Sequence, residues 1–193
     1  MGMEWTRWSC NMVTLALWIS LSGSTPLTAQ GNCQAVNDAM DKIITTPTHI
    51  YSVTTPVLND GSKPRTEDRR YSETVYVGGS TYTKVGGKWT RGRWTAQQVM
   101  KKEEENRQNS KYSCHYLRDE PLNSETAAVY NTHSERKDDD MDIKSDGLVW
   151  ISKSRGLPMR HEFDIDVGDS DKERREKEHH SVRYDYTNVQ PPM

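Results

Sequence analysis

The chain has 193 residues, of which 33% are hydrophobic and 28% charged, and its net charge of −2 comes from 26 basic and 28 acidic residues. This length predicts one domain or two small ones, and the balanced charge excludes a strong basic field that would recruit nucleic acid. The low hydrophobic content disfavours a multi-span membrane protein and a large helical core. Aromatic residues recur in short alternating runs, which favours strands over disorder.

The first 29 residues have the layout of a secretory signal. Arg7 gives the start a weak positive charge, and residues 12–21 form an apolar stretch too short to span a bilayer comfortably. Leu27-Thr28-Ala29 ends in the small residue that a signal peptidase prefers. We therefore predict cleavage after Ala29 and a periplasmic or secreted mature chain. The alternative is an uncleaved anchor helix.

Three cysteines are present, and Cys10 falls in the predicted signal. The mature chain keeps Cys33 and Cys114, which we predict to form a disulfide in an oxidising compartment, joining the first helix to a mid-chain strand. The alternative is a nucleophilic Cys114 activated by His115. This alternative is disfavoured because neighbouring residues on a strand point to opposite faces, so His115 could not easily act as a base for Cys114.

The mature chain opens with a predicted amphipathic helix at residues 33–45, which Thr46-Pro47 ends. A strand is predicted at residues 48–54. Residues 59–64, with the composition Asn-Asp-Gly-Ser-Lys-Pro, are predicted to form a loop.

A three-stranded meander comes next, with predicted strands at Arg70–Val77, Ser80–Val85 and Lys88–Arg91. Two Gly-Gly pairs join these strands, and glycine adopts the positive φ angles of tight hairpin turns without steric cost. A second helix is predicted at residues 95–109, where Thr-Ala-Gln-Gln fits a capping box at its start.

Five further strands complete the predicted sheet, and charged connections at residues 134–146 and 167–180 interrupt them. The connections are short enough for antiparallel neighbours, and no β-α-β rhythm is present. The predicted fold is therefore α+β: a curved antiparallel sheet of about 8–10 strands with two helices on its concave face. The five strands are predicted at 112–118, 126–133, 147–152, 159–166 and 181–189.

Motifs for catalysis and metal binding are missing from the sequence. It contains neither a phosphate-binding glycine loop nor a G-x-S-x-G nucleophile. The acidic run at 138–142 lacks the Gly and Glu of a calcium-binding loop, so we predict a solvated loop. His179 and His180 lie in a densely charged segment, which favours a charged loop over a metal site. Trp89, Trp94 and nearby basic residues are predicted to form a hairpin end whose tryptophans pack against the second helix, rather than a nucleic-acid site. We expect no enzyme activity, metal or cofactor.

Two segments resemble the outer-membrane lipoprotein carrier (LolA-like) family: DGLVWISKSRGLPMR at 146–160 and the closing SVRYDYTNVQPP at 181–192. The meander and the predicted signal fit the same pattern. The resemblance implies one domain at 30–193, built as a half-barrel that two helices lid, with a cavity for acyl chains. The cavity would be lined by Tyr51, Val53, Tyr76, Tyr82, Trp89, Val99, Met100, Tyr116, Trp150, Phe163 and Tyr184.

These observations favour a secreted, non-enzymatic binding protein, a monomer that holds a lipid or other apolar ligand and contacts a membrane only transiently. The alternative is a structural or interaction module of the cell envelope, with a filled core and a protein partner. A hydrolase or metal enzyme that uses His161, His179 or the acidic run is the least favoured interpretation.

Overall fold

A computed structural model of the chain describes residues 29–58, 62–138, 140–169 and 175–192. Apart from Ala29, the predicted signal lies outside the described residues. Neither helix of the described part is long and apolar enough to cross a membrane.

Nine strands form one curved, open antiparallel sheet that carries two α-helices, which confirms the predicted α+β class. In chain order the elements are α1 (Ala29–Thr45), β1 (Thr48–Val57), β2 (Arg70–Val77), β3 (Ser80–Val85), β4 (Lys88–Arg91), α2 (Ala96–Gln108), β5 (Ser110–Leu122), β6 (Glu125–Asp138), β7 (Met141–Ser152), β8 (Pro158–Asp169) and β9 (Arg175–Asp185). The sheet order is β4-β3-β2-β1-β9-β8-β7-β6-β5. The edges are therefore β4 and β5, and the segment with α2 crosses between them.

The two glycine pairs make the predicted turns of the meander. Gly78 and Gly79 have φ angles of 56° and 72°, and Gly86 and Gly87 have 56° and 79°. Side chains with a Cβ rarely adopt these angles, so the glycines fix where β2, β3 and β4 reverse.

The predicted capping box begins α2. The Thr95 hydroxyl accepts a hydrogen bond from the Gln98 amide at 3.3 Å, and the Gln98 side-chain oxygen accepts one from the Thr95 amide at 2.8 Å. Two amides of the first turn that lack a helical partner are satisfied in this way. The cap matters because α2 has no buried residue whose packing would hold it in place.

The charged segment at residues 134–146 was predicted as a connection, and that prediction is wrong. It extends β6 and β7 into one long hairpin. Lys144 Nζ lies 3.3 Å from a Glu135 carboxylate oxygen, and His133 Nδ1 lies 2.7 Å from Asp146. Opposite charges at facing positions stabilise a ladder, so alternating charge here marks a solvated strand.

The second charged segment, residues 167–180, is corrected in the same way, because β8 and β9 both extend into it. Lys177 Nζ lies 3.5 Å from Asp166, and His179 Nδ1 lies 2.7 Å from Asp164 across the two strands. Both histidines of the predicted charged loop therefore belong to β9.

The sheet buries apolar side chains on both faces. Val149 and Ile151 of β7 contact the cluster that α1 covers, whereas Trp150 between them joins a cluster on the other side. We call these sides the helix face and the outer face. The helix-face core contains Cys33, Val36, Ala39, Cys114, Val149 and Ile151, and the outer-face core contains Ala127, Val129, Trp150 and Met159.

The predicted disulfide is present at the centre of the helix-face core. Cys33 of α1 and Cys114 of β5 are bonded, with their Cα atoms 5.0 Å apart. Both side chains are buried. The bond fixes α1 to the edge strand β5, so it also positions the helix over the sheet.

Gly147 allows β7 to pass close to β8. A Cβ at this position would lie 2.5 Å from the carbonyl oxygen of Glu162 and 2.5 Å from Cβ of Phe163. Because that oxygen belongs to the neighbouring backbone, we expect Gly147→Ala to lower the free energy of unfolding by about 1–3 kcal/mol in urea titrations. Gly92→Ala is the control, since its nearest contacts would be 3.3 Å away. Equal losses in the two variants would contradict this explanation.

Candidate functional site

A groove of about 280 Å³ lies between the two helices and the helix face of β5–β8. Met40 of α1, Ile143 of β7 and Ile165 of β8 give it an apolar surface, and Tyr112 of β5 adds an aromatic ring. Polar side chains from both helices and from β5, β6 and β7 complete the lining. The groove therefore combines apolar and polar surface, as sites for amphipathic molecules do.

Strand periodicity explains how the groove forms. Ser134 and Arg136 are two residues apart on β6, and they lie opposite Ser145 and Ile143 of β7. Residues two apart on a strand share a face, so all four point under the helices. The two serines are small, and this leaves open the space that larger side chains would fill.

The groove continues into a smaller pocket of about 100 Å³ against α1. Val36, Val149 and His161 line this inner pocket, and it shares Met40 and Tyr112 with the groove. Burial, with a smaller contribution from His180, lowers the pKa of His161 to about 4. His161 is therefore neutral at pH 7, so the inner end of the groove carries no histidine charge.

An open notch of about 600 Å³ adjoins the groove where α2 ends and β5 begins. Four cations and two carboxylates line it. Ser110, Arg136 and Ile143 line both spaces, so they mark the passage between the notch and the groove.

Polar contacts rather than buried apolar ones attach α2 over the groove. Arg107 of α2 donates to the Asp41 carboxylate of α1 at 3.0 Å and to Glu104 at 3.0 Å. Val99 and Met100, which we predicted to line the cavity, are only partly buried. A helix held in this way opens at low free-energy cost compared with a core helix.

Five of the eleven predicted lining residues lie on the outer face. Val182 lies opposite both His161 and Ser52 in the ladder, which places Ser52 on the helix face. Its neighbours Tyr51 and Val53 must then point away from the helices. The same register places three more predicted residues on the outer face: Tyr82, Trp89 and Trp150.

The remaining predicted residues are on the helix side without lining the groove. Phe163 stacks between His161 and His180, with ring centroids 4.4 and 4.8 Å apart. Burial raises the pKa of both Tyr76 and Tyr184, so both fill space near β1 and β2. Tyr116 is half-exposed on β5, edge-on to Tyr130. None of the eleven lines the groove or the inner pocket.

A hydrogen-bonded chain of side chains crosses the outer face, and the sequence did not predict it. The Tyr51 hydroxyl lies 3.0 Å from His49 Nδ1, and His49 Nε2 lies 2.9 Å from Glu73. Lys84 donates to the same carboxylate at 2.7 Å. The hydrogen bond from Lys84 lowers the pKa of Glu73, and His49 adds to this effect, whereas partial burial opposes it. The hydrogen-bonded chain of side chains therefore ends in an ion pair between Glu73 and Lys84.

The two candidate metal-ligating clusters take up other roles. His179 pairs with Asp164 on the outer face, whereas His180 lies 3.2 Å from the Thr54 hydroxyl on the helix face. The acidic run at 138–142 supplies the β6–β7 turn, with Asp139 outside the described residues. Among the residues that the structure describes, no group of three or more His, Cys, Asp and Glu is placed to hold a metal ion.

Comparisons with known proteins do not assign this chain to a family. No protein-family model matches the chain, and no curated protein matches it. Among solved structures, the chain is similar to the crystal structure of LprF from Mycobacterium bovis, with a TM-score of 0.39 and 10% identity over 83% of this chain and 96% of that one. A likeness at that TM-score carries no argument about ligand or activity, so the functional proposal rests on the groove.

Proposed function

We propose that the chain is a non-enzymatic binding protein that holds a lipid or other apolar ligand in the groove beneath its helices. The observation that carries the proposal is the apolar groove of about 280 Å³, bordered by Met40, Ile143 and Ile165 and continuous with the inner pocket. Together the two spaces come close to the lower end of ordinary small-ligand sites, about 300–1,000 Å³.

In this proposal the sheet is a half-barrel and the helices are its lid, as in a divergent relative of the lipoprotein carriers. Two features support a moving lid: no residue of α2 is fully buried, and the partly buried ion pair of Arg107 with Asp41 joins α2 to α1. A helix without a fully buried residue opens at lower free-energy cost than one that packs into a core, so α2 lifts more readily than α1 does. The disulfide keeps α1 in place while α2 opens.

The proposal places the protein in the periplasm or outside the cell, acting as a monomer. The buried Cys33–Cys114 disulfide supports this, because disulfides persist in oxidising compartments. A ligand poorly soluble in water is collected from a membrane surface by brief contact. The charge balance supports no role with nucleic acid.

The alternative, an envelope module with a protein partner, is favoured by one observation. The rings of Tyr76 and Tyr184 are buried on the helix side near β1 and β2, so aromatic side chains occupy this part of the described interior. Crosslinking in cells that recovers one protein and no lipid would support this alternative.

The test is binding of N-phenyl-1-naphthylamine, a neutral dye that fluoresces in apolar sites. We expect saturable binding to the wild-type chain and at least tenfold weaker binding to Ser145→Phe, because Ser145 borders both the groove and the inner pocket. Ser113→Phe is the matched control, since residue 113 lies on the other face of β5. A wild-type chain that does not bind the dye, or equal losses in both variants, would refute the proposal.

A further inference from the structure

We infer that the ligand of this groove is a single-chain amphiphile whose carboxylate head binds Arg136, an inference that rests on the proposed function. Arg136 is on the helix face of β6 and lines both the groove and the notch. It therefore lies where a bound chain would pass from the apolar interior to water.

Arg136 is a cation without a partner among the described residues. Its Nε atom is buried and has no hydrogen-bond acceptor, and no carboxylate of the described part forms an ion pair with it. A buried donor left unpaired costs free energy, more so when the group is charged. An acceptor supplied by a ligand would remove this cost.

The other cations that line the groove or the notch are engaged, except Lys137, which lines the notch alone and lies on the other face of β6. Arg107 binds Asp41 and Glu104, and Lys144 binds Glu135 at 3.3 Å. Lys111 lies 4.0 Å from the same Glu135 carboxylate. Arg136 thus supplies one uncompensated positive charge beside the groove.

The nearby carboxylates do not fill this role. Glu103 borders the groove, but no hydrogen bond or ion pair joins it to Arg136. Asp142 borders the notch, and it lies opposite Lys137 in the ladder, on the face away from Arg136. Among the residues that the structure describes, the site therefore offers no acceptor to the Nε–H of Arg136.

The chemistry of the site favours a carboxylate, and its size favours one chain. A guanidinium matches a planar carboxylate through two parallel hydrogen bonds, and one cation balances one negative charge. From Arg136 the groove passes Ile143 and Ile165 and ends at the neutral His161 in the inner pocket. Spaces of about 280 and 100 Å³ leave no room for several acyl chains.

The experiment compares three ligands of equal chain length, 1-dodecanol, dodecanoate and dodecyl phosphate, as competitors of N-phenyl-1-naphthylamine. We expect dodecanoate to displace the dye from the wild-type chain at a concentration about tenfold lower than dodecanol. Arg136→Gln should abolish this preference and leave dodecanol binding unchanged, which also shows that the groove of the variant is intact. Lys88→Gln is the control, since it removes one positive charge from β4, the opposite edge of the sheet from β5.

Each outcome decides between the two proposals. If dodecanol and dodecanoate compete equally with the wild-type chain, or if Arg136→Gln weakens both alike, the inference is overturned and the proposed function stands. A preference for dodecyl phosphate over dodecanoate would overturn the carboxylate and indicate a phosphate head group instead. If none of the three competes, both the inference and the proposed function fail.

Discussion

Replacing Cys33 and Cys114 together by alanine is expected to lower the free energy of unfolding by about 4 kcal/mol and the melting temperature by roughly 10 °C. The bond closes a loop with a sequence separation of 81 residues, and the chain-entropy account gives long loops the larger effect. Both side chains also belong to the helix-face core, so the variant loses packing there as well.

Chemical and thermal unfolding of the wild-type and double-alanine chains, each with and without a thiol reductant, would measure this effect. We expect the reductant to destabilise the wild-type chain alone. Because Cys114 is fully buried, the reduction requires incubation in mild denaturant. Equal melting temperatures for the oxidised wild-type chain and the double variant would mean that the bond does not stabilise the fold.

Local chemistry made several parts of the fold predictable. The glycine pairs at 78–79 and 86–87 fix their turns because other residues rarely adopt the required φ. Thr95 and Gln98 specify the start of α2 through side chains three residues apart. The disulfide was predicted from the two cysteines that remain outside the predicted signal. Each of these predictions depends on neighbouring residues or on simple counting.

The groove could not be predicted because its formation depends on long-range pairing. Ser134, Arg136, Ile143 and Ser145 lie in a segment whose charges indicated a connection. Their charged neighbours pair across the hairpin only when the register is known, as Glu135 does with Lys144. The signal that could have found the groove is the period of two at residues 141–147, where small or apolar residues alternate with charged ones.

The sequence also did not show which face of the sheet the predicted lining residues occupy. Tyr51 and Trp89 are large aromatics in alternating strands, which made them candidates for a cavity. Each lies beside a cation, with Arg183 Cζ 4.6 Å from the Tyr51 ring centroid and Lys84 Nζ 5.7 Å from that of Trp89. Aromatic rings on a solvated face gain such cation–π contacts, so size and hydropathy alone do not assign the face.

Acid is expected to destabilise the protein through His161. The pKa of this imidazole is lowered to about 4 in the fold, mainly by burial, whereas an unfolded histidine has a pKa near 6.5. Between these values the unfolded chain binds a proton that the folded chain does not, so stability is complete above about pH 6.5 and is lost as the pH falls towards 4. Burial also lowers the pKa of His180, so this residue likewise destabilises the fold as the pH falls. The expected contribution of His161 is a loss of about 2 kcal/mol between pH 7 and pH 5.

Urea unfolding at pH 7, 6 and 5 would measure this loss in the wild-type chain, His161→Gln and the exposed-site control His115→Gln. The range stops at pH 5 because carboxylates such as Glu73 and Glu125, whose pKa values hydrogen bonds lower in the fold, lose their stabilising contributions below it. His161→Gln should retain a larger share of its pH 7 stability at pH 5 than the other two chains do. Parallel pH profiles for all three would show that the inner pocket holds His161 without penalising its charge.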